Sequence, residues 1–179
     1  MPLFRTMNSN YRSYPMLFLK TLSVDDGWDI FDMLKEIGTT ENSFTNPVHE
    51  MTYEQFKKWL IQQEKWSREE DLPPGYVGQT IYWLYDGERP VGFGKIRHQL
   101  TEASRRSGGS IGYAIRPQCR RKGYGKVILR MLLVEAKRKR IKELLLTVDK
   151  GNIASKKVIE GNNGILIYEN GERWYFKIP

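Results

Sequence analysis

The chain has 179 residues, of which 40% are hydrophobic, and it carries a formal net charge of +8 at pH 7. This composition is sufficient for a hydrophobic core, and we expect residues 1–179 to form a single domain. The sequence has no apolar run of about 18 residues, so we expect no transmembrane helix. Cys119 is the only cysteine, which excludes an intrachain disulfide and a multi-cysteine metal site.

The start of the chain predicts an arm, a strand and a helix. Residues 1–15 lack the continuous apolar core of a signal peptide, so we expect a loose N-terminal arm and a cytoplasmic protein. Residues 16–19 are typical of a short strand. Apolar side chains at helical spacing predict a helix over 24–37, with Asp25 and Asp26 in its first turn.

The next segment predicts a second helix and a β-hairpin. After a polar loop, Thr52 and Gln55 have the spacing of a capping box, which opens a helix. Alternating apolar residues then predict strands over 80–85 and 91–100, joined by a tight turn. Another polar loop is expected over 101–109.

The central segment, residues 111–126, predicts a strand, a basic glycine loop and the first turn of a helix. Apolar side chains alternate from Ile111 to Ile115, and Pro117 ends the strand because it has no N–H to donate. Apolar residues at helical spacing follow from Val127 onward. The loop therefore lies at a helix N-terminus.

This loop has the chemistry of an anion site. The first N–H groups of a helix have no partner within it, and the helix dipole adds partial positive charge there. Gly123 and Gly125 let a phosphate approach the amides closely. Full charges come from Arg120, Arg121 and Lys122. The spacing matches neither the P-loop nor the dinucleotide-binding glycine pattern, and we predict that a pyrophosphate binds here.

The C-terminal part predicts further alternation of strands and helices. Strands are expected over 143–148, 164–168 and 173–178, with a helix over 152–160. The complete order predicts an α/β (α+β mixed) fold, in which a mostly antiparallel mixed sheet is flanked by helices on both faces.

The central segment resembles the main motif of the GNAT superfamily of acyl-CoA N-acyltransferases. In this chain the motif is Ile115-x-Pro117-x-x-Arg120-x-x-Gly123-x-Gly125, and all its defining positions match. Segment 148–160 resembles a second GNAT segment. Other stretches, 76–84, 96–100 and 108–117, resemble a branch of uncharacterised bacterial predicted acetyltransferases.

The resemblance implies acetyl-CoA as the acyl donor, with no metal. Loop amides would hold its pyrophosphate, while the preceding strand and the start of the later helix would contact its pantetheine arm. The implied cofactor-binding residues are Tyr113, Ile115, Arg120, Arg121, Lys122, Gly123, Tyr124, Gly125, Lys126, Asn152, Ser155 and Lys156.

The implied activity is acetyl transfer to a primary amine of a small molecule or peptide, by direct attack in a ternary complex. The family places its acceptor near the first two helices, which implies Glu41, Asn42 and Phe44 as substrate-binding residues. We expect no nucleic-acid or membrane partner, and the β-rich C-terminus could pair in a homodimer. The alternative is a non-catalytic acyl-CoA-binding sensor or interaction module.

Amide formation requires an oxyanion donor and a base, because the acceptor amine must lose a proton before it attacks the thioester. The resemblance suggests the backbone N–H of Ile115 as the oxyanion donor. The strand that precedes the loop carries no acid, so His98, Glu102 or Glu41, acting through water, are the candidate bases.

The leaving thiolate also benefits from an acid. Many GNAT enzymes use a tyrosine seven residues after the position of Asn152, but this chain has Ile159 there. Tyr168, Tyr113 or solvent remain as candidates. Cys119 is not expected to act as a nucleophile, because it lies on the pyrophosphate side of the loop.

Overall fold

A computed structural model describes residues 16–41 and 44–179, so the arm predicted over 1–15 lies outside the described residues. Short 3-10 turns precede the second helix and follow the sixth strand. The elements in chain order are β1 (Leu17–Thr21), α1 (Trp28–Glu36), β2 (Thr40–Glu41), β3 (Phe44–Thr45), α2 (Tyr53–Ser67), β4 (Gln79–Asp86), β5 (Arg89–Arg97), α3 (Glu102–Arg106), β6 (Ile111–Ile115), α4 (Tyr124–Arg138), β7 (Leu145–Asp149), α5 (Ile153–Glu160), β8 (Ile165–Glu169) and β9 (Arg173–Lys177).

The main strands form two antiparallel sheets. The first has the order β1-β4-β5-β6 and the second has the order β7-β9-β8, while β2 and β3 pair in a small hairpin. The predicted mostly antiparallel fold with helices on both faces is confirmed, and its strands are divided between two sheets. No helix in the described ranges is both long and apolar enough to cross a membrane.

Two cores cover the two faces of the first sheet. On one face α4 and the second sheet pack through side chains such as Leu132 and Phe176. On the other face α1 and α2 pack through side chains such as Leu34 and Phe56, around the buried ring of Trp83. The central strands are therefore apolar on both faces, which explains their nearly continuous hydrophobic sequence.

The first and third helices differ from the sequence-based expectation. α1 begins at Trp28, so Asp26 precedes the helix instead of lying in its first turn. The loop expected over 101–109 contains α3, which is opened by a capping box between Thr101 and Ser104. The capping box predicted at the start of α2 is confirmed.

The carboxylate of Asp26 fixes the entry to α1. It is buried, and its Oδ2 accepts hydrogen bonds from Trp83 Nε1 at 2.6 Å and from Ser23 N at 2.9 Å. The Lys20 ammonium lies 2.7 Å from its Oδ1. These contacts join β1, α1 and the centre of β4, because a buried carboxylate must satisfy its acceptors within the fold.

We expect Asp26→Asn to lower the free energy of unfolding by about 2 kcal/mol, since it removes the charge that accepts these bonds and presents an amide N–H₂ to donors. Urea unfolding measures the change. The exposed neighbouring Asp25 supplies the matched control, and Asp25→Asn should stay within about 0.5 kcal/mol of wild type. An equal effect of the two variants would contradict the role of Asp26.

Candidate functional site

A cleft opens where the two sheets separate. β6 and β7 approach each other at their starts, where Ser110, the residue before β6, donates its N–H to Leu145 O at 2.6 Å and Leu145 N donates to Ser110 Oγ at 3.0 Å. Gly109, with φ of 57°, makes this approach possible, because a Cβ there would collide with the backbone of Leu145. Beyond this junction the strands line a cavity of about 520 Å³.

The backbone edge of β6 faces this cavity. Arg97 N donates to Ser110 O at 2.8 Å, and Arg116 N donates to Val91 O at 2.9 Å, at the two ends of the β5–β6 ladder. Bonded and non-bonded pairs alternate in an antiparallel ladder. The register therefore turns the N–H and C=O groups of Tyr113 and Ile115 away from β5, toward the cleft.

The loop after β6 presents a row of amide groups. Arg121 and Gly123 have left-handed backbone conformations, with φ of 61° and 85°. Within the described residues, no acceptor is hydrogen-bonded to the amide nitrogens of residues 121–125. Successive N–H groups beside left-handed residues, followed at once by the start of α4, make a concave site for an anion.

Side chains of the loop contribute charge and shape. Arg120, Arg121 and Lys126 line the cavity, whereas Lys122 is exposed and does not line it. Arg120 Nε donates to Ile115 O at 3.1 Å. These cations stand beside the amide row, so the loop end of the cleft carries positive charge where an anion would meet the amides.

Two further loop residues connect it to neighbouring elements. The Tyr124 hydroxyl, which lines the cavity, donates to Asp86 Oδ2 at 2.5 Å, and this bond raises the pKa of Tyr124 to about 12. Gly125 lies against α5, where a Cβ would come 3.3 Å from Val158 Cγ2. The second glycine of the motif thus permits close packing of α4 and α5.

Helix α5 supplies the opposite wall. Asn152 and Ser155 line the cavity, and Asn152 caps the helix by accepting from Ser155 N at 3.0 Å. The hydroxyls of Tyr113 and Ser155 lie 2.9 Å apart, so a side chain of β6 spans the cleft. Burial raises the pKa of Tyr113 to about 12, while the bond to Ser155 acts in the opposite direction.

Not every predicted cofactor residue reaches the cavity. Lys156 does not line it, and its ammonium lies 4.6 Å from the centre of the Trp174 ring and 3.7 Å from Glu160 Oε1. Lys156 therefore packs on the second sheet, although it directly follows Ser155 in α5.

The far end of the cleft is lined by Phe44, Lys95 and Arg97. Lys95 Nζ lies 5.2 Å from the centre of the Phe44 ring. Burial, followed by the charge of Arg97, lowers the pKa of Lys95 to about 8. Neither cation was predicted from the sequence as a site residue, although two charges at i and i+2 in an apolar strand indicate a shared face.

The structure does not bring His98 or Glu102 to the cavity. His98 Nε2 lies 2.9 Å from Thr80 Oγ1 and its Nδ1 lies 3.0 Å from Glu69 Oε1. Glu102 is exposed on α3 and forms an ion pair with Arg106. Both residues lie beyond the junction of β6 and β7, at the end where the sheets are joined.

The remaining candidates are distributed differently. Tyr168 is exposed on β8, with its ring 5.2 Å from that of Tyr175, and it does not line the cavity. Ile159 is buried in the core beside the cleft. Glu41 pairs through its backbone with Phe44, and Asn42 lies outside the described residues.

Comparison with known proteins identifies a family for most of the chain. Residues 33–164 match the model of the acetyltransferase (GNAT) family. A search of curated protein sequences finds no match to the chain.

Solved structures with similar folds include several N-acetyltransferases. N-acetyltransferase PseH from Campylobacter jejuni, in complex with acetyl coenzyme A, has a TM-score of 0.55 at 14% identity, covering 91% of this chain and 98% of that one. RimL, a ribosomal L7/L12 alpha-N-protein acetyltransferase in complex with coenzyme A, has a TM-score of 0.66 at 14% identity, covering 90% and 92%. A chimera of spermidine N-acetyltransferase SpeG from Vibrio cholerae and hSSAT has a TM-score of 0.61 at 12% identity, covering 90% and 94%.

The depressed pKa of Lys95 has a consequence for stability. Folding opposes its protonation, so below about pH 8 the charged lysine is destabilising, and this effect disappears as the pH rises to the ordinary lysine value of 10.5. We expect Lys95→Met to raise the free energy of unfolding at pH 7 by about 2 kcal/mol, with the gain vanishing by about pH 10.5.

Urea unfolding at several pH values between 7 and 10.5 tests this. The exposed Lys58 on α2 provides the control, and Lys58→Met should change the free energy of unfolding by less than about 0.5 kcal/mol throughout. A Lys95→Met variant that is less stable than wild type at pH 7 would contradict the expectation.

Proposed function

This chain belongs to the acetyltransferase (GNAT) family, and from that premise we propose that it transfers the acetyl group of acetyl-CoA to a primary amine of a small molecule or peptide. The amine attacks the thioester directly in a ternary complex. The observation that carries the proposal is the row of amide N–H groups over residues 121–125, which have no hydrogen-bond acceptor among the described residues and stand at the N-terminus of α4 beside an open cleft.

We propose that this row holds the pyrophosphate of the donor. Amide groups, the helix dipole and the charges of Arg121 and Lys126 act on the same anion there. The pantetheine arm then runs along β6, whose outward backbone groups can bond its amides. Asn152 and Ser155 form the other wall of this channel.

Electrostatic stabilisation of the tetrahedral intermediate requires an N–H donor aimed into the cleft. Ile115 N–H, the donor that the resemblance implies, lies on the open edge of β6, and Tyr113 N–H lies on the same edge, nearer the far end of the cavity. We propose that one of these two N–H groups donates to the oxyanion and that the other binds the pantetheine arm of acetyl-CoA.

We propose the Tyr113 hydroxyl as the general acid that protonates the leaving thiolate. Ser155 and Ile159 are one turn apart on α5, so they share a helix face. The Tyr113 hydroxyl reaches Ser155 on that face, 2.9 Å away. The Tyr113 side chain therefore brings a phenol close to Ile159, the position at which many GNAT enzymes have a tyrosine. Because burial raises its pKa to about 12, this phenol is protonated at neutral pH.

For the base we propose Glu41, acting through water. Of the three candidates from the sequence, Glu41 alone is on an element that reaches the cleft, because its backbone pairs with that of Phe44. His98 and Glu102 stand at the joined end of the sheets, outside the cavity.

Amine acceptors are in keeping with the neighbours, whose names specify a ribosomal protein α-amine for RimL and spermidine for SpeG. We further propose a cytoplasmic bacterial enzyme, for which the single buried cysteine suits a reducing compartment. An exposed apolar edge strand, β8, supports pairing as a homodimer, since unprotected edges favour strand addition.

The first test is titration of acetyl-CoA into the protein by calorimetry, followed by thiol release with a panel of amines and N-terminal peptides. Gly123→Leu should weaken acetyl-CoA binding about 100-fold or more, because its side chain covers the amide row. Gly75 provides a matched control. Both glycines have positive φ, 85° and 81°, and both have open space around the Cβ position.

Gly75→Leu should lose similar stability and retain acetyl-CoA binding. Normal binding by Gly123→Leu would contradict the loop assignment. Binding to wild type without thiol release from any amine would favour the non-catalytic acyl-CoA sensor.

The proton-transfer roles give separate expectations. Glu41→Gln should lower kcat/KM with amines more at pH 7 than at pH 9, where more amine is already neutral.

Tyr113→Phe should lower kcat about 10- to 100-fold with little change in acetyl-CoA affinity. Tyr76→Phe, at an exposed tyrosine, serves as the control for this variant. A loss of turnover on Tyr168→Phe instead of Tyr113→Phe would reassign the acid.

A further inference from the structure

The far end of the cleft is cationic. Lys95 and Arg97 alternate along β5, so they project from the same face of the strand, and both line the cavity. In the described part of the chain neither forms an ion pair with a carboxylate. A partly buried cation without a counter-ion is unfavourable, and it identifies a place where an anion would bind well.

We propose that Lys95 and Arg97 form an anion subsite, and that the amine acceptor of this enzyme carries a carboxylate or phosphate group. This inference rests on the proposed acetyl transfer, and it specifies the class of acceptor. The anion would sit at the end of the cleft opposite the loop, with the acceptor amine directed back toward β6.

The guanidinium of Arg97 is already oriented for this role. Its Nη1 donates to Gly108 O at 3.1 Å and to Gly109 O at 2.8 Å, at the junction where β6 and β7 separate. A Cβ on Gly108 would come 3.1 Å from Nη2, so the glycine leaves room for the planar group. Two carbonyls thus fix one nitrogen, and the other N–H groups, which have no hydrogen-bond acceptor within residues 16–41 and 44–179, remain for a ligand.

The ammonium of Lys95 is held beside it. A Cβ on Gly112 would lie 3.3 Å from Lys95 Cε and 3.4 Å from Phe44 Cδ2, so the lysine stem and the ring both pack over this glycine. The Phe44 ring stabilises the cation, but burial still lowers the pKa of Lys95 to about 8. A bound anion would favour the charged form of the lysine and raise its pKa again.

This arrangement separates the two anions that a ternary complex would contain. Donor phosphates bind at the loop end with Arg121 and Lys126, whereas an acidic group of the acceptor binds at Lys95 and Arg97. Polycationic amines would meet repulsion at the same place. The subsite therefore favours acceptors such as amino acids, acidic peptides or phosphorylated amino sugars over polyamines.

The test compares acceptors in matched pairs that differ by one negative charge. Suitable pairs are an amino acid and its amide, an amino sugar phosphate and the free amino sugar, and a peptide with Glu or Gln after its N-terminal residue. Wild type should give a kcat/KM about 10-fold or more higher for the charged member. Spermidine, as a polycation, should be a poor acceptor.

Lys95→Met and Arg97→Gln should each reduce this preference to about twofold, with unchanged acetyl-CoA affinity. Lys58→Met controls for loss of a positive charge elsewhere, and it should keep the preference. A preference that survives both variants would overturn the subsite. So would an equal loss with charged and neutral acceptors, which would assign Lys95 to proton transfer instead.

A second measurement does not depend on finding an acceptor. With the loop site saturated by CoA, inorganic phosphate should raise the unfolding temperature of wild type and have a smaller effect on Lys95→Met, relative to the same variant without phosphate. Equal phosphate effects on the two proteins would overturn the proposal. Failure of CoA itself to bind would instead contradict the proposed function, and the phosphate comparison would still report on Lys95.

Discussion

The cleft depends on a short hydrogen-bonded contact between the starts of two strands, one from each sheet. Ser110 and Leu145 exchange hydrogen bonds at the start of β6 and β7, and beyond them the strands separate. Separation creates the cavity and at the same time leaves the edge of β6 without a neighbouring strand. Backbone groups away from water require partners, so this edge is a ready template for a ligand that has amides of its own.

Features that depend on neighbouring residues could be predicted from the sequence. The capping box of α2 and the turn from β6 into α4 are set by spacings of a few residues, and both are present. The start of α1 could not be predicted in the same way. Asp26 looks like a first-turn acid, but its carboxylate bonds Trp83, which is 57 residues away along the chain.

In the candidate site, too, only the features set by neighbouring residues could be predicted from the sequence. The glycines and cations of the loop could be predicted from a local sequence pattern. Which other residues line the cleft depends on the point at which β6 and β7 separate. His98 is one residue beyond the end of β5, yet this small step carries it past the junction and out of the cavity. Tyr113 meets Ser155 across 42 residues of sequence, and no local spacing reveals that pairing.

Hydrogen bonds to α1 link the loop end of the cleft to the end that contains Phe44. Arg116, at the start of the loop, binds the Glu36 carboxylate on α1 with two guanidinium nitrogens. Asn46 Nδ2 then donates to Leu34 O at 2.7 Å and to Ile37 O at 2.8 Å, which ties the end of α1 to the segment that carries Phe44. If filling the loop restrains α1, the acceptor end is restrained with it. Linkage is reciprocal, so an acceptor that gains affinity from a bound donor must hold that donor more tightly by the same factor.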